Sequence, residues 1–125
     1  MNNHLRLFTL AAVTLALFSS VGCNKLRARD QLNKGVEAYK NSHYEQAIDH
    51  FQQAVQLDPG LINARMYLAT AFVSQYIPGV DSPDNLRTAQ QAIDEYQAFL
   101  SHFEGSRTKM PQVVEARTAL KRLMH

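Results

Sequence analysis

The 125-residue chain has a single cysteine, no tryptophan and only five glycines. One cysteine cannot form a disulfide within the chain, so a disulfide-stapled scaffold is excluded. The lack of a second cysteine also leaves a zinc site without a ligand set. The length bounds the chain to one small domain.

No constellation of catalytic or metal-ligating residues stands out. Three histidines, His43, His50 and His102, are scattered, and there is no H-E-x-x-H segment. Asp94 and Glu95 are adjacent and would point in different directions on a helix, which suits a solvated face better than paired acid and base work. Neither a glycine-rich phosphate loop nor a nucleophile elbow is present. We therefore expect a non-enzymatic protein with no cofactor, metal or small-molecule substrate; a hydrolase is the contrasting class.

Charge is unevenly distributed along the chain. Residues 30–104 carry four basic and ten acidic side chains, whereas residues 24–29 and 105–125 are basic. A nucleic-acid surface needs a basic stripe that displaces counterions from phosphates, and an acidic body argues against one. We expect the C-terminal bases to form a solvated helix face.

The first 22 residues have the composition of a secretory signal. Leu7 to Phe18 is an apolar run of about 12 residues, interrupted by two threonines and followed by small residues. A membrane-spanning helix needs roughly 20 apolar residues, so a permanent transmembrane anchor is the weaker interpretation. Residues 1–22 are predicted to be cleaved.

The only cysteine follows this run directly, and Val21-Gly22-Cys23 resembles the lipobox of bacterial lipoproteins. The resemblance implies a diacylglyceryl group on the Cys23 thiol, an acylated (palmitoylated) N-terminus and a lipidated tether over residues 23–29. Two or three acyl chains meet the requirement for stable anchoring. Asn24, which is not the aspartate of inner-membrane retention, favours the periplasmic face of the outer membrane. A plain secreted signal is the alternative.

Residues 35–59 read as two amphipathic helices joined at Asn41-Ser42-His43. Ser42-His43-Tyr44-Glu45 has the S-x-x-E form of a capping box, which predicts that the second helix starts there. Pro59 ends that helix, because proline and the residue before it disfavour helical geometry. The apolar positions recur at i, i+3, i+4 and i+7; they are Tyr44, Ala47, Ile48, Phe51, Ala54 and Val55.

The spacing of small and aromatic residues resembles the tetratricopeptide repeat, whose period is 34 residues. The matching positions are Gly35, Ala47, Phe51, Ala54 and Pro59, and Ala69 follows Gly35 by one period. The resemblance implies an all-α fold over residues 30–125, with about two helical hairpins and a C-terminal capping helix in a right-handed α-solenoid. A generic antiparallel helix bundle is the alternative.

The second repeat is predicted to contain about 11 extra residues, because Ala92 and Tyr96 lie 45 residues after Ala47 and Phe51. Ser82-Pro83-Asp84 predicts the start of its long second helix. Pro111 is expected to open the capping helix. The packing stripe of the long helix is predicted to be Leu86, Ala89, Ile93, Tyr96, Leu100 and Phe103. We expect Ile77, Pro78 and Val80 to fold back over Leu86; otherwise a second copy or a partner would cover it.

The resemblance also implies a concave groove lined by the first helix of each repeat. The groove residues are predicted to be Val36, Tyr39, Lys40, Asn63, Met66, Thr70 and Val73. Alternatively, Val36, Met66 and Val73 simply pack between repeats. Leu32, Val36 and Thr70 stand where some relatives use lysine and asparagine to grip a partner's C-terminal carboxylate, so capture of a chaperone tail is disfavoured.

Together these patterns predict a lipid-anchored adaptor or scaffold that docks a protein or peptide partner in the bacterial cell envelope. The alternative is an accessory lipoprotein of an envelope assembly machine, such as a pilus pilotin or an outer-membrane insertion factor.

Overall fold

The computed structural model describes residues 2–105 and 110–125, with side chains described for 2–13, 22–105 and 110–125. These residues form helices that pack in chain order, α1 on α2, α2 on α3, α3 on α4 and α4 on α5. Their bounds are α1 Asn2–Lys40, α2 Tyr44–Leu57, α3 Ile62–Gln75, α4 Pro83–Ser101 and α5 Pro111–Met124. The predicted all-α fold of stacked hairpins is confirmed.

The first hairpin is organised by the contact between Gly35 of α1 and Phe51 of α2. Phe51 is fully buried, and a Cβ added at Gly35 would lie 2.5 Å from two carbons of its ring. No side chain larger than hydrogen fits there without moving the ring. Gly35 therefore allows α1 and α2 to approach closely.

The turn between α1 and α2 is built to end a helix rather than to start one. Ser42 lies in the left-handed region with φ of 61°. Its N–H donates to the Tyr39 carbonyl at 3.0 Å, and the N–H of His43 donates to the Ala38 carbonyl at 2.9 Å. These two bonds define a Schellman motif with Ser42 in the position usually held by glycine.

The predicted capping box at this turn is wrong. Within this fully described segment, α2 begins at Tyr44 with His43 as its N-cap residue and no side-chain cap hydrogen bond. The physical reason is that an N-cap residue needs extended backbone geometry, whereas Ser42 is held in the left-handed conformation that terminates α1.

α1 begins at Asn2, far before residue 30, where the helical domain was predicted to start. It runs without a break through residues 23–29, which were expected to form a tether, and Ala28 is fully buried. Seven residues make about two helical turns, so Ala28 lies on the same face as Gly35. The packed part of the chain thus starts before residue 30.

The side chains of residues 14–21, which include the second part of the predicted signal run, lie outside the described part of the structure. Among the described residues, no helix combines the length and the apolar character that a membrane span requires.

The second hairpin, α3 and α4, has a longer second helix, and only the C-terminal half of α4 is buried by apolar contacts. Apart from Asn85, the buried residues of α4 begin at Ala92 and continue with Tyr96 and Phe99. Leu86 is 51% exposed, so the predicted stripe that began at Leu86 is wrong for the first turns. The reason is geometric: α4 has 19 residues against 14 in α3, and the excess has no helix opposite it.

The loop before α4 does fold back, but through polar contacts. The amide of Asn85 donates to the carbonyls of Ile77 at 2.8 Å and Val80 at 2.7 Å, and its oxygen accepts from the N–H of Ile77 at 2.8 Å. Ile77 and Val80 remain 58% and 42% exposed. The predicted apolar cover over Leu86 is therefore wrong, because the loop is held by its backbone and not by its side chains.

Both predicted helix starts in this half are confirmed. Ser82 caps α4 by accepting a hydrogen bond from the N–H of Asn85 at 3.2 Å, with Pro83 in the first turn. α5 begins at Pro111 and buries Val113 and Ala116 against the second hairpin.

Candidate binding site

A cleft of about 230 Å³ opens where α1, α3 and α5 face the same side of the molecule. The resemblance to the repeat family implied that α1 and α3 line a groove, whereas α5 was expected to act as a capping helix. The residues that line the cleft come from all three helices; they are Tyr39, Asn63, Met66, Tyr67, Thr70, Gln112 and Glu115. Four of the seven predicted groove residues are among them: Tyr39, Asn63, Met66 and Thr70.

The other three predicted groove residues lie elsewhere. Val36 and Val73 are half-buried and pack against the buried cluster around Phe51 and Phe72. Val73 also packs against a second buried cluster, which contains Tyr96 and Phe99. The alternative interpretation, packing between repeats, fits these two valines. Lys40 is the exposed last residue of α1 and does not line the cleft.

Sequence reasoning missed Tyr67, Gln112 and Glu115. Tyr67 follows Met66 on α3 and was left out because its position does not belong to the predicted groove face. Gln112 and Glu115 lie on α5, which was interpreted as a cap with a polar back. Interpreting α5 as the first helix of a third, incomplete repeat would have placed its N-terminal polar residues beside the groove.

Hydroxyl groups from α1, α3 and α4 surround the inner side of the cleft. The Tyr39 hydroxyl shares a hydrogen bond of 2.9 Å with Ser74, and the Thr70 hydroxyl lies 3.4 Å from that of Tyr96. Burial raises the pKa of the Tyr96 phenol, the hydrogen bond with Thr70 opposes this rise, and the negative charge of Glu115 adds to it.

The two tyrosine rings that wall the cleft are held by other rings. Tyr67, which is 44% exposed, stacks on the buried Phe51 with ring centroids 5.6 Å apart and 22° between the planes. Tyr39 packs against Tyr44 with centroids 5.3 Å apart. Both rings are therefore positioned before any ligand arrives.

The cleft contains one formal charge, the carboxylate of Glu115. None of the described residues that line it is basic. No salt bridge engages Glu115 among the described residues, whereas Asp30, Asp84 and Glu95 are each paired. Within residues 2–105 and 110–125, Glu115 thus has no cationic partner in a salt bridge.

Asp94 and Glu95, which were expected to lie together on a solvated face of α4, differ in their exposure to solvent. Asp94 is exposed and accepts a hydrogen bond from Gln90 at 2.8 Å. Glu95 is only 22% exposed and pairs with Arg65 of α3 at 3.0 Å, so it links the two helices of the second hairpin. In the described part of the chain, no three histidine, cysteine, aspartate or glutamate residues converge on a metal site.

Cys23, the predicted lipidation site, lies within α1 with its thiol free and exposed. It is separated from the first buried residue, Ala28, by about one and a half helical turns.

Comparison with known protein families finds a match for the first hairpin. Residues 28–61 match the tetratricopeptide repeat family model. The matched range starts at the buried Ala28, contains the Gly35–Phe51 contact and ends after α2. Comparison with curated proteins and with solved structures gives no match. The match and the all-α stacked hairpins support a tetratricopeptide-type solenoid, a class of fold that typically serves as a non-catalytic protein–protein interaction module.

Proposed function

We propose that this protein is a lipid-anchored adaptor that docks a segment of an envelope protein in the cleft between α1, α3 and α5. The observation that carries the proposal is the cleft itself, which is lined by the first helix of each hairpin and by α5. Its walls are apolar and aromatic and a few polar groups converge on it, which is the usual composition of a recognition site.

The membrane attachment rests on the N-terminal sequence. The small residues before Cys23, the exposed thiol and the apolar run of about 12 residues all support lipidation of a cleaved signal. Lipid on Cys23 would hold the hairpins at a membrane face, and the outer-membrane periplasmic face is the proposed location. The same proposal assigns no enzymatic activity and no cofactor.

Photocrosslinking tests the docking role. A photoreactive amino acid replaces Asn63 in the cleft or, as the control, Gln53 on the exposed side of α2. We expect one discrete conjugate in intact cells from position 63 and none from position 53. Equal conjugates from both positions, or none from either, would contradict the proposal. A conjugate with a secretin or with barrel-assembly machinery would instead favour the accessory lipoprotein of an assembly machine.

Metabolic labelling with palmitate tests the anchor. Wild-type protein is expected to be labelled and to fractionate with membranes, whereas Cys23→Ser and Cys23→Ala should be unlabelled and should accumulate as precursor or as soluble protein. A labelled Cys23→Ser variant would show that the lipid is attached elsewhere.

A further inference from the structure

We propose that the cleft receives the guanidinium group of an arginine side chain carried by the partner segment. This inference rests on the proposed docking role of the cleft and names the chemistry that the cleft selects. Three observations carry it: the charge of the cleft, its ring walls and its size.

Charge complementarity favours a cation. Glu115 is the only charged residue among those described at the cleft, and no described basic side chain neutralises it. Residues 30–104 carry ten acidic and four basic side chains, and residues 105–125, which include Glu115, carry five basic side chains, so the two segments together have a formal net charge of −2. A cationic side chain that enters the cleft therefore meets a carboxylate that pairs with no described basic side chain.

The ring walls favour a planar cation. Tyr67 and Tyr39 line the cleft from α3 and α1, and each is held in place by a neighbouring ring. Guanidinium stacks on aromatic faces more readily than ammonium does, because it is planar and weakly hydrated. The preformed walls reduce the entropy that binding would otherwise cost.

The size and acceptors of the cleft favour one side chain over a whole small molecule. Its volume of about 230 Å³ is below the roughly 300–1,000 Å³ of typical ligand pockets. Guanidinium presents five N–H donors, and the lining offers oxygen acceptors on Glu115, Asn63 and Gln112. A carboxylate and two amide oxygens can accept hydrogen bonds from several of these five donors, whereas an ammonium group has only three donors to offer.

The methyl group of Met66 provides a direct reporter. The chain has four methionines, and Met66 lines the cleft. The full chain, labelled with ¹³C at the methionine methyl groups and held in detergent, is titrated with acetyl-Gly-Arg-Gly-amide; Met66→Leu identifies the resonance. The matched peptides carry citrulline, which is neutral and nearly isosteric, or lysine in place of arginine.

We expect the arginine peptide to shift the Met66 resonance saturably and the citrulline peptide to bind about tenfold more weakly, since a charge-assisted hydrogen bond is lost. Glu115→Gln should weaken binding of the arginine peptide to a similar extent. Glu45→Gln, at an exposed position of α2, should leave it unchanged. Circular dichroism of each variant verifies that the helices are intact.

Equal affinity for arginine and citrulline peptides would overturn the inference, as would a Glu115→Gln variant with unchanged affinity. Equal affinity for lysine would overturn the assignment to guanidinium. These results are distinguishable from failure of the docking role. If position 63 gives a crosslinked conjugate but the peptides show no charge preference, only the proposed binding of arginine is refuted. A charge-selective Met66 shift without any conjugate refutes only the adaptor.

Discussion

The two hairpins bury aromatic rings against small residues, but they differ in how the rest of each hairpin is held. In the first hairpin, α2 has 14 residues and its buried positions run from Ala47 to Ala54. In the second, α4 has 19 residues, and its apolar burial starts only at Ala92. The family match covers the first hairpin, where the spacing is regular, and not the second, which contains about 11 additional residues.

The comparison shows that the same core geometry tolerates a longer connection if the added backbone finds hydrogen-bond partners. Asn85 supplies them, because one side chain satisfies one N–H and two carbonyls of the loop. The first hairpin needs no such residue, since its turn is closed by the backbone bonds at Ser42 and His43. The first connection thus depends on backbone hydrogen bonds and the second on one side chain, so substitutions should affect the two hairpins differently.

The largest effect is expected from removing the central ring of each hairpin. Phe51→Ala and Phe99→Ala each leave a cavity, because the two side chains are 0% and 1% exposed, and each should lower the free energy of unfolding by about 3–5 kcal/mol. Urea unfolding of the full chain, followed by circular dichroism, measures the change. Val114→Ala, at a position that is 48% exposed, serves as the control and should change it by less than about 0.5 kcal/mol. A loss confined to one of the two phenylalanines would show that only that hairpin contributes to the cooperative core.

Asn85→Ala should destabilise the second hairpin by about 1–3 kcal/mol, because the bonds to Ile77 and Val80 are lost together. Limited proteolysis is expected to cut the loop between α3 and α4 faster, while the turn at Ser42 is cut at its former rate. Gln90→Ala removes an exposed side-chain bond on the same helix and is the matched control. Unchanged cleavage and stability would mean that Asn85 does not hold the loop.

Gly35→Ala should destabilise the first hairpin. The added methyl group overlaps the Phe51 ring at a cost of about 1–3 kcal/mol, partly offset by a gain of about 0.5–1 kcal/mol in helix propensity. Asn33→Ala, at an exposed position of the same helix that lies after the proposed cleavage site, is the matched control. The control is expected to be neutral or stabilising in the same urea titration. A stabilised Gly35→Ala variant would show that α1 and α2 can separate freely.

Ser42→Gly is expected to stabilise the protein, and the effect is the smallest of the four. A left-handed conformation costs a residue with a Cβ about 1–2 kcal/mol, and glycine avoids this cost while losing more entropy on folding, so a net gain of roughly 0.5–1 kcal/mol remains. Gly79, with φ of 81°, offers the reverse test in the second hairpin, because Gly79→Ser should lose a similar amount. A decrease in melting temperature for Ser42→Gly would indicate that the serine hydroxyl stabilises the turn after all.

The cleft was predicted in part because its location follows from the repeat pattern. The resemblance to the repeat family implied that α1 and α3 share one side of the solenoid, and the predicted residues Tyr39, Asn63, Met66 and Thr70 do line the cleft. Glu115 was missed because α5 was interpreted as a capping helix and not as part of the groove.

Local sequence determined the elements of this protein: amphipathic spacing set the helices, Pro59, Ser82 and Pro111 set their ends, and Gly35 fixed the closest approach of α1 and α2. Only the tertiary structure decided the rest. Ser42 ends α1 and does not cap α2, because its backbone is left-handed. Asn85 is buried because the loop between α3 and α4 packs against it. The negative charge of the cleft likewise arises from α5 packing beside α3. The charge of the cleft is a relation between helices distant in sequence, whereas the roles of Ser42 and Asn85 depend on the backbone conformation of a turn and a loop. The periodicity of apolar residues carries no information about either.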